Sequence, residues 1–166
     1  MAISKRIFIS LGSNIDDRQQ FISKALILIE QWGIKILRKS GLYQSEPWGV
    51  KEQNIFLNQV IEVETDLQPE SLLQALKSIE NALGRVSRPK WHEREIDLDI
   101  LYYDAELVDL PHLNIPHIQV RKRKFVLVPL LEIAPDFVDP QTGQTIDEIL
   151  RTTPDTSMVS LLFSAT

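Results

Sequence analysis

Asp97 and Asp99 stand two residues apart in the run Ile96-Asp97-Leu98-Asp99-Ile100-Leu101, alternating with aliphatic residues. Period-two alternation is the pattern of a β-strand. It predicts that both carboxylates leave one face while Ile96, Leu98 and Ile100 leave the other. At a rise of roughly 3.3 Å per residue, their Cα atoms would lie about 6.6 Å apart. Aspartate is disfavoured in strands, and two carboxylates at that spacing can converge on a shared pair of divalent cations. The plain structural alternative is a half-buried strand with a wet face. What separates the two is the preceding segment, Gly84 to Arg94, which holds Arg85, Arg88, Lys90 and Arg94 with His92 among them. Guanidinium forks match phosphate oxygens, so this loop suits a bound polyphosphate. Trp91 in so charged a segment is hard to explain as core and can cap a flat ligand. A second basic run, Arg121 to Lys124, follows His117, and one or two of its members are expected to touch ligand. Phe56 and Asn58, also two apart, share a strand face. An aromatic ring beside a side-chain amide, with its donors and acceptors, suits a planar heterocycle with amide and amine edges.

Composition narrows the chemistry. The chain has 166 residues, a mass of 19.1 kDa, a net charge of −5 and no cysteine. That length implies a single domain, 1–166, carrying one activity. Thiolate metal sites, disulfides and cysteine nucleophiles are excluded. No G-x-x-x-x-G-K-[ST], G-x-G-x-x-G, H-E-x-x-H or G-x-S-x-G occurs, so a nucleotide would be held by arginines and metal rather than a glycine cradle. The negative charge argues against nucleic acid as a partner. No apolar stretch approaches the roughly 20 residues of a membrane span, and the opening apolar run is too short for a signal peptide. A cytoplasmic monomer is expected.

The elements that must position these residues follow in order. Lys5 to Leu11 reads as a strand ended by the turn cluster Gly12-Ser13-Asn14. A helix beginning near Asp16 and Asp17 then buries Phe21, Ala25, Leu28, Ile29 and Trp32, and Gly33 stops it. Ile34 to Ser45 is one extended stretch and Asn54 to Thr65 another, with a Pro- and Gly-containing loop between. Pro69 suits the first turn of a second helix, which carries Leu72, Leu76, Ile79 and Leu83 on one stripe up to Gly84. After the aspartate strand, Asp104-Ala105 turns into a short partner, Glu106 to Val108. A Pro-rich connection, a helix over Phe125 to Ile133 kinked or begun early at Pro129, a turn at Asp139 to Gly143, a short helix over Ile146 to Leu150 and a tail complete the chain. The order is that of an α+β, ferredoxin-like βαββαβ core with an antiparallel sheet, plus a C-terminal helical extension.

Taken together these segments resemble the 6-hydroxymethyl-7,8-dihydropterin pyrophosphokinase family of folate biosynthesis. The resemblance runs over nearly the whole chain. It covers Ile9 to Asn14, Tyr43 to Gly49, Phe56-Leu57-Asn58, Glu80 to Arg85, Trp91 to Leu101, Ile115-Pro116-His117 and Phe125 to Leu130. It implies transfer of a pyrophosphoryl group from ATP to the pterin hydroxymethyl oxygen, with release of AMP. It also implies that Asp97 and Asp99 hold two Mg²⁺ ions and, with Arg85 and Arg94, carry catalysis. Glu80, Arg85, Arg94, His117 and Arg123 would lie along the ATP site. Ser45, Trp48, Phe56, Asn58, Trp91 and Phe125 would form the pterin site, with Phe56 and Phe125 on the two ring faces. The loops 45–53 and 85–92 would close over both substrates. The sequence departs from the commoner pattern at His92-Glu93, where Gly-Pro is frequent, and at Ile118, where an aromatic often follows the histidine. The basic loop is also slightly shorter than in some relatives, which leaves Arg88 without an assigned role.

Two rival readings explain less. A non-catalytic ferredoxin-like module binding RNA or a small ligand accounts for the basic runs, but paired strand aspartates would repel nucleic acid. A two-metal phosphohydrolase needs no aromatic-and-amide pocket.

Overall fold

The computed structural model describes residues 5–14, 17–45, 55–84 and 96–165. At its centre is β1 (Ile7–Ser13), hydrogen-bonded on one side to β4 (Phe56–Glu64) and on the other to β5 (Asp97–Tyr103). Two further strands, β2 (Lys35–Lys39) and β3 (Leu42–Ser45), pair with successive halves of β4, and β8 (Val159–Phe163) adds outside β3. Every pairing is antiparallel, in the order β5-β1-β4-β3-β8 with β2 also on β4. Helices α1 (Arg18–Gln31) and α2 (Pro69–Ala82) lie between the strands in sequence. This is the expected ferredoxin-like arrangement.

Alternation along the strands sorts side chains to two faces. Ile7, Ile9, Leu11, Leu57, Ile61, Val63, Leu98 and Ile100 pack beneath α1 and α2, against Ile22, Ala25, Ile29, Leu72, Leu76 and Ile79. On the other face, Phe8, Val60, Leu101 and Tyr102 meet α3 (Lys124–Ile133) and α4 (Ile146–Thr152) through Val126, Leu127, Leu130, Ile146 and Ile149. Phe137 closes this second core edge-on, its ring 5.0 Å from Phe8 and 4.9 Å from Tyr102.

The register between β1 and β5 shifts between Phe8 and Ile9, so that Phe8 faces Tyr102 and Ile9 faces Ile100. The intervening Leu101 is the extra residue of a β-bulge. It leaves Asp97, Asp99 and Leu101 on one face and turns Tyr102 onto that face as well, while Tyr103 joins the opposite core. The second face is thereby divided. Its half near Leu101 and Tyr102 is filled by α3 and α4, and its half near Asp97 and Asp99 is not.

Several elements differ from expectation. The first strand runs on through Gly12 and Ser13 instead of turning there, because both neighbours supply ladder partners as far as that end. In α1 the buried stripe is Ile22, Ala25 and Ile29; Trp32 is the C-cap and 50% exposed. The predicted stretch Ile34 to Ser45 is broken at Ser40-Gly41. There Ser40 Oγ accepts the Val60 N–H at 3.0 Å, and the Gly41 N–H turns to the Glu132 carboxylate at 3.2 Å. The segment after Asp104 does not pair with β5. Strand β6 (Val108–Leu110) instead forms a separate ribbon with β7 (Leu113–Ile115) inside the predicted Pro-rich connection. Pro129 sits within α3, where its ring cannot supply the N–H of an ordinary helical residue. The tail is not structureless, since it supplies β8.

Candidate functional site

Asp97 and Asp99 are positioned from both sides of β5. On one side, Gly12 and Ser10 of β1 stand opposite them in the ladder. On the other, the Leu98 N–H between them donates to the Glu80 carboxylate of α2 at 2.8 Å. Glu80 is 1% exposed and also receives Lys77 Nζ at 3.3 Å. Helix α2 is thus pinned to the aspartate strand by a buried carboxylate, and the strand cannot slide without breaking that bond.

Burial and the nearby Asp97 carboxylate push the Asp99 carboxyl up to about 7, with Glu80 adding to the effect and Arg123 opposing it. His117 brings its Nε2 to 3.9 Å from Asp99 Oδ1. The histidine's Nδ1 accepts the Gln119 N–H at 3.1 Å, which places the proton of the neutral ring on Nε2, facing the aspartate. Burial, with help from Arg123, lowers His117 to about 4, so the ring is neutral near pH 7.

Within the basic run Arg121 to Lys124, the two arginines take different partners among the described residues. Arg123 interacts electrostatically with Asp99 and Asp97, and its guanidinium lies 5.6 Å from the centre of the Phe125 ring. Arg121 instead turns away to the buried Asp139, donating from Nε at 3.0 Å and from Nη2 at 3.2 Å. Tyr102 Oη donates to the same carboxylate at 2.6 Å, and the Gln141 and Thr142 N–H groups complete its shell. That knot ties β5 to the turn after α3; it is structural.

Across β1 from the aspartates lies the second cluster. Asn58 is buried on β4, and its Nδ2 donates to Ser45 Oγ of β3 at 2.7 Å. Phe56 is two residues away on the same face and partly exposed. The predicted residues Ser45, Phe56, Asn58, Asp97 and Asp99 therefore come from three strands of one sheet face, β3, β4 and β5, while His117 follows β7 and Arg123 and Phe125 stand at the start of α3. Trp48, Arg85, Trp91 and Arg94, together with Arg88, Lys90, His92 and Glu93, lie outside the described residues. Ile118 is exposed to solvent.

The aspartate pair has the chemistry of a hard-cation site: two sets of carboxylate oxygens on one strand face, the Asp99 carboxyl driven up by burial and then by Asp97. Among the described residues no group of three or more His, Cys, Asp or Glu ligands gathers. Magnesium suits such a two-carboxylate set, because it commonly completes its octahedron with substrate phosphates and water. The sequence reading missed one contributor, Gly12, and one contact of a residue it did name: the bond from Leu98 N–H to Glu80, which only the packing of α2 reveals. Gly12 has no side chain to notice, but a glycine inside an alternating strand marks close approach.

Comparison with known proteins places this arrangement. The family described as 7,8-dihydro-6-hydroxymethylpterin-pyrophosphokinase (HPPK) matches residues 8–135. A 2-amino-4-hydroxy-6-hydroxymethyldihydropteridine pyrophosphokinase of Methylorubrum extorquens is 43% identical over 146 residues, covering 87% of this chain and 91% of the relative. The protein of the same name from Haemophilus influenzae is 40% identical, covering 93% and 96%. Among solved structures, wild-type HPPK-DHPS of Plasmodium falciparum superposes with a TM-score of 0.71 at 16% identity, over 90% of this chain and 44% of that one. This chain spans less than half of that longer protein, and at such low identity the likeness speaks for the fold. The family match and the identities near 40% over nearly full-length relatives make the chain a member of the 7,8-dihydro-6-hydroxymethylpterin-pyrophosphokinase family.

Proposed function

We propose that this chain transfers the pyrophosphoryl group of ATP to the hydroxymethyl oxygen of 6-hydroxymethyl-7,8-dihydropterin, giving the pterin diphosphate and AMP in folate biosynthesis. The observation that carries the reading is one sheet face on which Asp97 and Asp99 stand across a single strand from Asn58, with His117 and Arg123 beside the aspartates. Two ligand chemistries, polyphosphate and flat heterocycle, thereby meet within one site.

In this reading Asn58, Ser45, Phe56 and Phe125 hold the pterin, the amide pairing with its edge and the rings covering its faces. Trp48 and Trp91 belong to the same pocket. Arg123 and His117, with Arg85 and Arg94 from the basic loop, bind and neutralise the triphosphate, and Glu80 keeps the aspartate strand in register. Asp97 and Asp99 would hold Mg²⁺, which when bound supplies Lewis-acid neutralisation of phosphate charge. The chain's own part is alignment: the pterin oxygen is held in line with the β-phosphorus. The oxygen–β-phosphorus bond then forms as the bond from the β-phosphorus to the α,β-bridging oxygen breaks, AMP leaves with that oxygen, and the hydroxyl proton passes to solvent. The protein works as a cytoplasmic, single-domain monomer on small molecules, with no nucleic acid or membrane partner. No described helix is long and apolar enough to cross a membrane.

Calorimetry on two variants tests the division of labour. Asn58→Ala should weaken pterin binding roughly tenfold, the worth of a lost buried hydrogen bond or two, and leave nucleotide affinity unchanged. Asp99→Asn should cost Mg-ATP affinity and turnover. Equal effects of both variants on both ligands would refute two adjoining subsites.

A further inference from the structure

Gly12 faces both halves of the site. In the ladders of β1 it stands directly opposite Asn58 on β4 and directly opposite Asp97 on β5. Directly opposed residues of antiparallel strands send their side chains to the same face. A side chain at Gly12 would therefore rise between the amide and the carboxylate. With neighbouring strands about 4.8 Å apart, the Asn58 and Asp97 backbones lie roughly 10 Å from one another. That is the span of a two-ring heterocycle with a short arm.

The backbone does not require glycine here. Positive φ values occur at Gly33, Gly84 and Gly143, and Gly12 is not among them. Glycine inside a strand costs stability relative to alanine, so the reason is space. A Cβ at this position would lie 3.1 Å from Asn58 Oδ1 and 3.9 Å from Phe56 Cδ1, the two side chains assigned to the acceptor. The first distance is tighter than ordinary contact, and Asn58 cannot easily give way because its Nδ2 is bonded to the buried Ser45 hydroxyl.

We infer that Gly12 is a specificity-determining residue: its missing side chain leaves open the floor along which the acceptor's hydroxymethyl arm runs from the Asn58 amide toward Asp97. The inference rests on the reading of Asn58 as a pterin contact and of Asp97 as part of the phosphate side. A methyl at Gly12 pushes on the Asn58 amide and fills the floor beneath the arm, while the nucleotide side is untouched.

The experiment is calorimetric titration of 6-hydroxymethyl-7,8-dihydropterin, in the presence of Mg²⁺ and a non-hydrolysable ATP analogue, into wild type, Gly12→Ala and Asn58→Ala, with thermal melts of each. Gly12→Ala is expected to weaken pterin binding at least tenfold, to leave the affinity for the ATP analogue within twofold, and to lower Tm only slightly, by the strain of displacing one buried amide. If Asn58→Ala weakens pterin binding while Gly12→Ala binds it as wild type does, the role of Gly12 is overturned and the acceptor site stands. If Asn58→Ala itself binds pterin normally, the underlying reading of the acceptor site falls, and the inference with it. A Gly12→Ala protein with strongly lowered Tm and equal losses for both ligands would make the glycine merely structural, and would also overturn the proposal.

Discussion

At the scale of single residues, the proposed function separates charges that would work on ligands from charges that hold the fold. Asp97 and Asp99 project from a strand at the edge of the sheet, and the alternation with Ile96, Leu98 and Ile100 made that projection legible from sequence. Asp139 is as buried as any residue in the protein, and its carboxylate binds Tyr102, Arg121 and two backbone N–H groups. Burial alone would raise its pKa, but the Arg121 guanidinium and the Tyr102 hydroxyl outweigh it and hold the carboxyl below the ordinary aspartate range. A group depressed in the folded state stabilises the protein above its unfolded pKa of about 3.9, and loses that contribution as pH falls through the lower folded value. Urea unfolding at pH 5 and pH 3 should therefore show a smaller acid-induced loss of stability in Asp139→Asn than in wild type. The sequence placed Asp139 at the head of a turn, but no pattern in it pointed to the side-chain partners Arg121 and Tyr102, which lie 18 and 37 residues away in the chain. Charge and spacing alone did not distinguish Arg121 from Arg123, and it was the family resemblance that singled out Arg123; the fold turns Arg121 to Asp139 and leaves Arg123 in the field of the aspartates.

At the scale of elements, periodicity gave types reliably and edges poorly. Helix α2 was readable from Pro69 to Gly84, since a proline start, an apolar stripe and a glycine stop agree. In α1 the stripe was misassigned by a residue, because Phe21, Ile22, Leu26, Ile27, Leu28 and Trp32 offer competing apolar faces and only packing against the sheet chooses between them. The break at Ser40-Gly41 and the added strand β8 depend on long-range partners. A Cβ at Gly41 would meet the Phe163 carbonyl oxygen at 2.7 Å, a constraint set by a strand more than a hundred residues on. The bond from Leu98 to Glu80 is the element-scale device that concerns function most directly. Glu80→Ala removes a charged acceptor and leaves the Leu98 N–H unpaired, so stability should fall by about 1–3 kcal/mol in denaturant titration. Turnover should fall more than nucleotide affinity, since the change loosens the strand that carries the aspartates. If turnover survives at full rate despite the lost stability, the pin has no part in positioning.

At the scale of the whole molecule, the ferredoxin-like sheet is a platform with two differently used faces. One is sealed by α1 and α2. The other is half sealed by α3 and α4 and half given to the site, the boundary falling at the Leu101 bulge. Small residues on the central strand let a ligand lie across it, with Asn58 to one side and Asp97 to the other. On the proposed function such an arrangement favours joining two substrates over hydrolysing one, because the acceptor's place would lie on the same surface as the phosphate's. The account's central claim is this coupling of the two chemistries. Its most direct test is incubation of the protein with ATP and Mg²⁺, with and without 6-hydroxymethyl-7,8-dihydropterin, followed by separation of the nucleotide and pterin products. AMP and pterin diphosphate should form in equal amounts, only when the pterin is present, and Asp97→Ala should reduce both on the order of a thousandfold, matching the several kcal/mol that metal coordination supplies. ADP as the product, or ATP consumption that does not depend on the pterin, would contradict the account.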